Sequence, residues 1–370
     1  MLARADHYRA GVIPAGNASD AWATDVAACA RMFAEFARSA SPRAPLYTRL
    51  AAGIADDDDL AGLLLLSPPR QRQPVLLLAC IHFLLLGAEG RGAVLARYYP
   101  NLTAAPADGD PIPALAQFCG DHRDRLAELL ATRSTQTNEI GRCALLLPAF
   151  GLLAAEVGPL AHLDVGTSAG LNLLLDRYRY RYVPGGSVGD ASPVTLECGT
   201  RGAVPVPAGL PDVVQRVGLD RTPVDARDPE QRRWLEACVW PDQTDRFERL
   251  RAALAMAATA GLDLRRGDAV ADTAGVAATL TAHPVITSTW VLNYLSAAER
   301  TAYVANLDEL GRRTDLSWVF AESPILVPEL PVSDRTQQQI ALVLVRWRGG
   351  RRTVTHLGDA HPHGYWLHWR

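Results

Sequence analysis

At Pro159 the hydrophobic pattern of this chain changes period, and that change limits the fold more than any other feature. Up to about Leu153 apolar residues recur at helical spacing, so that Val26, Cys29, Phe33 and Phe36, with Trp22 a turn earlier, mark one face of a helix running toward Arg38, capped by Ser19 or Asp20. Further helices are expected at Leu46 to Ile54, Asp58 to Leu66, Pro74 to Ala88, Pro113 to Ala131 and Glu139 to Glu156. Asp56 to Asp59 reads as a solvated helix start, its carboxylates complementing the helix dipole. After Pro159 short apolar runs alternate with amphipathic stretches, which signals β/α alternation and a mostly parallel sheet. Strands are expected at Leu160 to Val165, Val213 to Leu219, Leu262 to Arg265, Pro284 to Ser288 and Trp318 to Glu322. Helices are expected near Gly170 to Tyr178, Gln231 to Val239, Thr244 to Ala260 and Ser296 to Arg312. Ile340 to Trp347, Arg352 to Leu357 and Gly364 to Trp369 suit antiparallel strands that close the sheet. The pattern therefore predicts a helical N-terminal cap over residues 1–158 and an α/β domain over 159–370, with a Pro- and Gly-rich insertion at about 179–211.

Composition removes several classes of function. The 370 residues include no lysine, so all 37 basic residues are arginine and the formal charge is -3. A lysine Schiff base and a Walker A loop are thereby excluded. A pI near 6.3 supplies no basic field for nucleic acid, and small-molecule partners are expected instead. The six cysteines form no C-x-x-C pair and read as buried reduced thiols. His356, His361, His363 and His368 have no carboxylate or cysteine partner at ligand spacing, so no metal site is expected. With no secretory h-region, and an apolar run from Pro74 to Ala88 too short to span a bilayer, the expectation is a cytoplasmic protein that does not enter membranes.

The chemistry is carried by HLDVGTSAGLNLLLDRYRYRY, where a buried strand ends in Asp164 and runs into a turn holding Gly166 and Gly170. Open α/β sheets build nucleotide sites in this way, because glycines let the backbone approach a ligand at the carboxyl end of the first strand. The pattern Asp164-x-Gly166-x-Ser168-x-Gly170-x-Asn172 resembles the first motif of class I S-adenosylmethionine (SAM) enzymes more than the dinucleotide fingerprint. On that resemblance Asp164 and the Gly166 turn hold the amino acid portion of SAM. Asp220, after the second strand, takes the ribose hydroxyls, although it lies 54 residues beyond Gly166 by number and the insertion must absorb the excess. Asp268 is placed either to accept from the adenine amino group or to cap a helix. The same letters spell G-x-S-x-G, a hydrolase nucleophile elbow with Ser168 as nucleophile; the all-helical region before Leu160 and the lack of an oxyanion loop speak against it. A tight turn with no ligand is the third reading.

Longer stretches, among them TRSTQTNEIGRCALLLPA, DVGTSAGLNLLLDRYRY, RVGLDRTPVDARDPEQRRWLEACVWPDQ and the terminal HPHGYWLHW, are similar to an uncharacterised bacterial family of unknown function. Its members look like class I SAM-dependent methyltransferases with a helical N-terminal domain. The resemblance implies a Rossmann-like fold with SAM as cosubstrate or substrate. Where relatives usually read H-S-W-V, this chain has Ser288-Thr289-Trp290-Val291. Arg133, Gln136, Asn138, Glu139 and Arg142 are candidates for a substrate-binding lid, against a simple capped helix start. Tyr178, Tyr180 and Tyr182, or Trp290 and Tyr294, could face a sulfonium cation, against plain core packing. Tyr178, Ser288, Trp290, Asn293 and Tyr294 are the catalytic candidates. The expected reaction is attack by a small molecule on a carbon attached to the sulfonium. An alternative is cyclisation of SAM itself to azetidine-2-carboxylic acid with release of methylthioadenosine.

Overall fold

A computed structural model describes residues 23–40, 44–326 and 340–370. Ser19, Asp20 and Trp22 lie outside the described residues. The helices run α1 (Val26–Ala40), α2 (Pro45–Ala55), α3 (Asp58–Gly62), α4 (Pro74–Leu86), α5 (Ile112–Asp121), α6 (Arg123–Thr132), α7 (Cys143–Val157), α8 (Pro229–Ala237), α9 (Thr244–Thr259), α10 (Ala269–Ala277) and α11 (Ala297–Gly311). The strands are β1 (Leu160–Val165), β2 (Arg179–Val183), β3 (Gly186–Val188), β4 (Thr195–Arg201), β5 (Val213–Asp220), β6 (Asp263–Arg266), β7 (His283–Thr289), β8 (Leu316–Glu322), β9 (Ile340–Arg348), β10 (Arg351–Ala360) and β11 (Trp366–Trp369).

The chain divides into two compact units. One holds Asn138–Arg227 and Ala252–Arg370; the other holds the described part of Gly16–Thr137 with Asp228–Arg251. The sequence reading put the boundary at 158, yet α7 belongs with the sheet, and α8, expected in the α/β region, belongs with the helices.

The sheet unit is a mixed α/β structure around one 11-stranded, mostly parallel sheet of order β3-β2-β4-β11-β10-β9-β8-β7-β1-β5-β6. The run β6-β5-β1-β7-β8 is all parallel and matches the expected strands to within two residues at each end. The tail strands β9, β10 and β11 join antiparallel, as the alternation suggested. The 179–211 insertion supplies β2, β3 and β4, which extend the sheet from β11. Chain order reverses at β1, which lies between β5 and β7, and this is where ligands bind in open α/β sheets. All six residues of β1 are buried. Leu163 and Val165 join Val217, Ile286 and Trp318 in the core of one face, whereas His162 and Asp164 alternate to the other. Ile140–Val157 is long and apolar enough to cross a membrane, but two thirds of it is buried in the protein (67%), which suits a core helix.

In the helical unit, Asp25 accepts from the Ala28 N–H at the head of α1, and Asp57 caps α3 with Asp58 and Asp59 in its first turn. The segment expected as one helix at 113–131 is broken at His122 into α5 and α6. Helix α4 is apolar on every side, and its interior packs among Phe33, Tyr47, Leu126 and Trp234. Fully buried His82 on α4 meets the Ala237 carbonyl through Nδ1 at 3.0 Å and the Asn101 amide nitrogen through Nε2 at 2.9 Å. Because that amide donates, His82 is the neutral tautomer with its proton on Nδ1. Burial, set against these hydrogen bonds, pulls its pKa down to about 4.

A histidine whose folded pKa lies below its unfolded value leaves stability intact above the unfolded pKa and removes it as pH falls toward the folded one. Between pH 6.5 and 4, His82 therefore costs the helical unit up to about 3 kcal/mol. Urea melts of wild type and His82→Gln across this range are expected to show a steeper acid loss in wild type. Parallel curves refute the assignment.

Candidate functional site

The turn after β1 is fixed by a set of short contacts that the sequence specifies locally. Gly166, Ser168 and Gly170 all take positive φ, at 71°, 52° and 74°. That geometry is routine for glycine but costs serine of order 1 kcal/mol or more. The N–H groups of Gly166 and Thr167 donate to the Leu219 carbonyl at 2.8 and 3.3 Å. Asp220, at the end of β5, accepts from the N–H of Ser168 and of Thr222, both at 2.8 Å. Asn138 donates to the Thr167 carbonyl at 3.2 Å. A Cβ on Gly218 of β5 would stand 2.6 Å from the Thr167 methyl, so this glycine makes the space in which Thr167 sits.

Several polar atoms in this turn have no partner. Asp164 is 1% exposed; its Oδ1 accepts from the Thr287 hydroxyl at 2.7 Å, while Oδ2 has no hydrogen-bond partner. The hydroxyls of Thr167 and Ser168 are likewise buried and unpaired. Burial pushes the Asp164 pKa up to about 6, against the pull of the neighbouring Thr287, Thr167 and Asn172 side chains. Buried polar atoms are nearly always paired in folded proteins, so a cluster of three at a topological switch point makes this turn the candidate site.

A second wall rises from β7 and β8. Trp290 takes φ 66°, a conformation that a bulky residue adopts only under constraint. The constraint is Glu322 at the end of β8, fully buried, whose carboxylate accepts from the N–H of Val291 at 2.6 Å and of Leu292 at 3.1 Å, and from the Asn293 amide at 3.4 Å. Burial pushes this carboxyl to about 8, and the backbone donors only partly offset it. Val291 thereby rests on Gly166, where a Cβ would meet its methyl at 2.6 Å.

The third wall joins residues distant in sequence. Arg142, 5% exposed, donates to the Thr289 carbonyl at 3.0 Å and the Pro362 carbonyl at 2.9 Å, and its guanidinium stands 5.5 Å from the Trp290 ring centre. Gly141 and Gly364 cross so closely that a Cβ on Gly364 would lie 2.0 Å from the Gly141 carbonyl. Buried Glu139 accepts from the Gly141 N–H and lies 3.0 Å from His363 Nδ1.

The structure thus gathers Asp164, Gly166, Ser168, Gly170, Asn172, Asp220, Asn138, Glu139, Arg142, Trp290 and Asn293 into the sheet unit around the ends of β1 and β7. The 54-residue gap to Asp220 is the inserted β2, β3 and β4. Other expectations need correction. Tyr178 is fully buried with its hydroxyl on the Leu171 carbonyl, and Tyr180 and Tyr182 are likewise core residues on backbone carbonyls. Ser288 accepts from the Trp318 indole inside β7. Asp268 caps α10 and pairs with Arg221. One face of the Trp290 ring holds the Arg142 cation, and Tyr294 stands 70% exposed. Arg142, expected in a substrate-binding lid, donates to two carbonyls of the protein itself. Arg133 and Gln136 fall in the other unit, where Arg133 pairs with Glu230 and faces Trp234. The helix expected after Gly170 is a 3-10 segment, Leu171–Arg177, kinked at Leu174, so it offers no helix dipole for an anion. Sequence reasoning missed Glu322, Thr287, Thr167 and His162. The signal was present in polar residues inside otherwise apolar strands.

A family model described as an uncharacterized protein conserved in bacteria (DUF2332) matches residues 30–369, and the chain belongs to that family. No curated protein and no solved structure matches it.

Since one planar guanidinium ties β7 to the Pro362 turn, an ammonium cannot replace it. Arg142→Lys is expected to lose about 1 to 3 kcal/mol in urea unfolding of the sheet unit. Stability equal to wild type removes Arg142 from this role.

Proposed function

We propose that this DUF2332 protein is a SAM-dependent enzyme with a Rossmann-like, class I methyltransferase type of fold that directs attack by a small molecule on a carbon attached to the sulfonium. The observation that carries the reading is the unpaired, buried trio of Asp164 Oδ2, Thr167 Oγ1 and Ser168 Oγ at the switch point. An acceptor flanked by two hydroxyl donors suits an amino acid moiety, the carboxylate oxygen taking an ammonium and the hydroxyls a carboxylate. The strand order β6-β5-β1-β7-β8 corresponds to the 3-2-1-4-5 order of Rossmann sheets. Asp220 supports the reading too, since of its roughly four acceptor positions one holds the Ser168 N–H of the turn and one the Thr222 N–H of its own loop, which leaves the others for ribose hydroxyls.

When bound, SAM supplies a sulfonium whose attached carbons are electrophilic. The chain's own contribution would be positional: Asp164 and the turn would hold one end of the molecule, and the Val291 side chain covers Gly166. Admission of a ligand against Gly166 requires the Val291 side chain to swing aside. The Ser168 hydrolase reading lacks a base, because no hydrogen bond joins Ser168 Oγ to a histidine.

Calorimetry with SAM and S-adenosylhomocysteine is expected to give binding that Asp164→Asn weakens about ten- to a hundredfold, the loss of one charge-assisted hydrogen bond. Methylthioadenosine formed from SAM alone identifies cyclisation, and S-adenosylhomocysteine formed only with an added acceptor identifies transfer. No binding by wild type, with fluorophosphonate labelling at Ser168, overturns the proposal in favour of the hydrolase.

A further inference from the structure

One buried histidine is left over by the proposed chemistry. His162 lies in the middle of β1, fully buried, edge-on to Phe150 with ring centres 4.9 Å apart. Its Nε2 is 2.8 Å from the Thr287 hydroxyl, which in turn donates to Asp164 Oδ1 at 2.7 Å. Residues 162 and 164 share a face of β1, and Thr287 is the register partner of Asp164 on β7, so the three side chains form one line along the sheet.

The direction of that line follows from hydrogen counting. A threonine hydroxyl has one proton, and here it goes to Asp164, so the hydroxyl must accept from His162. His162 is therefore the Nε2–H tautomer, with Nδ1 an unpartnered acceptor. The opposite polarity would bury an unpaired Nδ1–H donor, and burial together with the field of Arg216 keeps the ring neutral throughout ordinary pH. The other titratable groups whose fields reach Asp164 are Asp220 on β5, Cys143 at the head of α7 and Tyr303 on α11. None of them bonds to either carboxylate oxygen.

We infer that His162 and Thr287 are positioning residues: a fixed-polarity relay commits Asp164 Oδ1 to the protein as a permanent acceptor, leaving Oδ2 as the oxygen that meets the ligand and takes up any proton. The inference rests on the functional reading only in naming the ligand. Its consequence is that a ligand presenting an ammonium to Oδ2 binds the ionised carboxylate and is released as that oxygen protonates. Removing the Thr287 hydroxyl withdraws a donor that favours the charged form, which makes Asp164 easier to protonate.

Two measurements on the full chain test this. Imidazole 15N NMR without ligand is expected to show His162 as a non-titrating Nε2–H tautomer from pH 5 to 8; an Nδ1–H tautomer or a titrating ring overturns the relay. SAM affinity, measured by calorimetry over the same range, is expected to fall on the acid side. Thr287→Val is expected to move that acid limb up by about one pH unit, and so to weaken SAM binding about tenfold at pH values below the limb, with Thr287→Ser restoring the wild-type profile. A merely structural role for Thr287 lowers affinity evenly at every pH, and such parallel curves overturn the relay. If wild type binds neither SAM nor S-adenosylhomocysteine, the functional reading fails, and the His162 tautomer alone decides the relay.

Discussion

Everything in the sheet unit is organised by the placement of β1 between two parallel neighbours. A strand hydrogen-bonded on both sides and covered on both faces has no use for polar side chains unless they bond to one another, since each unpaired polar group there costs on the order of 1 to 3 kcal/mol. His162 and Asp164 nevertheless occupy two of its six positions, both fully or almost fully buried. Their cost is offset by Thr287 across the ladder, and the remaining imbalance is concentrated at the strand's carboxyl end. That end is also where the backbone is bent into left-handed geometry, so the polar imbalance and the strain coincide.

Around this point three walls are held by different physical devices. The β5 side uses backbone geometry, with the Leu219 carbonyl and the Asp220 carboxylate collecting the turn's N–H groups. The β8 side uses a buried carboxylate, Glu322, as an anchor for three successive residues of the Trp290 loop. The third wall uses Arg142 as a clamp between carbonyls, which suits a chain with no lysine, because a flat fork can hold two acceptors that a point charge cannot.

The sheet was legible because its parallel strands read as short, mostly apolar runs, at 160, 213, 284 and 318, set between turn residues and amphipathic stretches. The unit boundary was harder to read. CALLLPAFGLLAAEV in α7 is nearly as apolar as α4, and composition does not say which core an apolar helix serves. Helix α8, in the middle of the β/α alternation, buries Trp234 with the N-terminal helices for the same reason. At the site, the local motif from Asp164 to Asn172 was visible in the letters. The roles of Tyr178 and Ser288 were not, because whether a hydroxyl faces a cleft or a backbone carbonyl depends on packing. Glu322 and Thr287 escaped notice since their importance arises from partners on neighbouring strands, Val291 and Asp164, and pairing across a sheet has no sequence period.

The crossing of Gly141 over Gly364 has a bearing on how the molecule comes into being. The two contacting backbones are separated by more than half of the chain, and no side chain fits between them. Loop closure of that span is slow and entropically costly, so it belongs among the last events of folding. On the ribosome, β1 and its turn emerge long before the Pro362 hairpin that completes their surroundings. The nascent chain thus carries the β1 turn without its full surroundings through most of its synthesis, and the Gly141 crossing can close only once the Gly364 segment has been made.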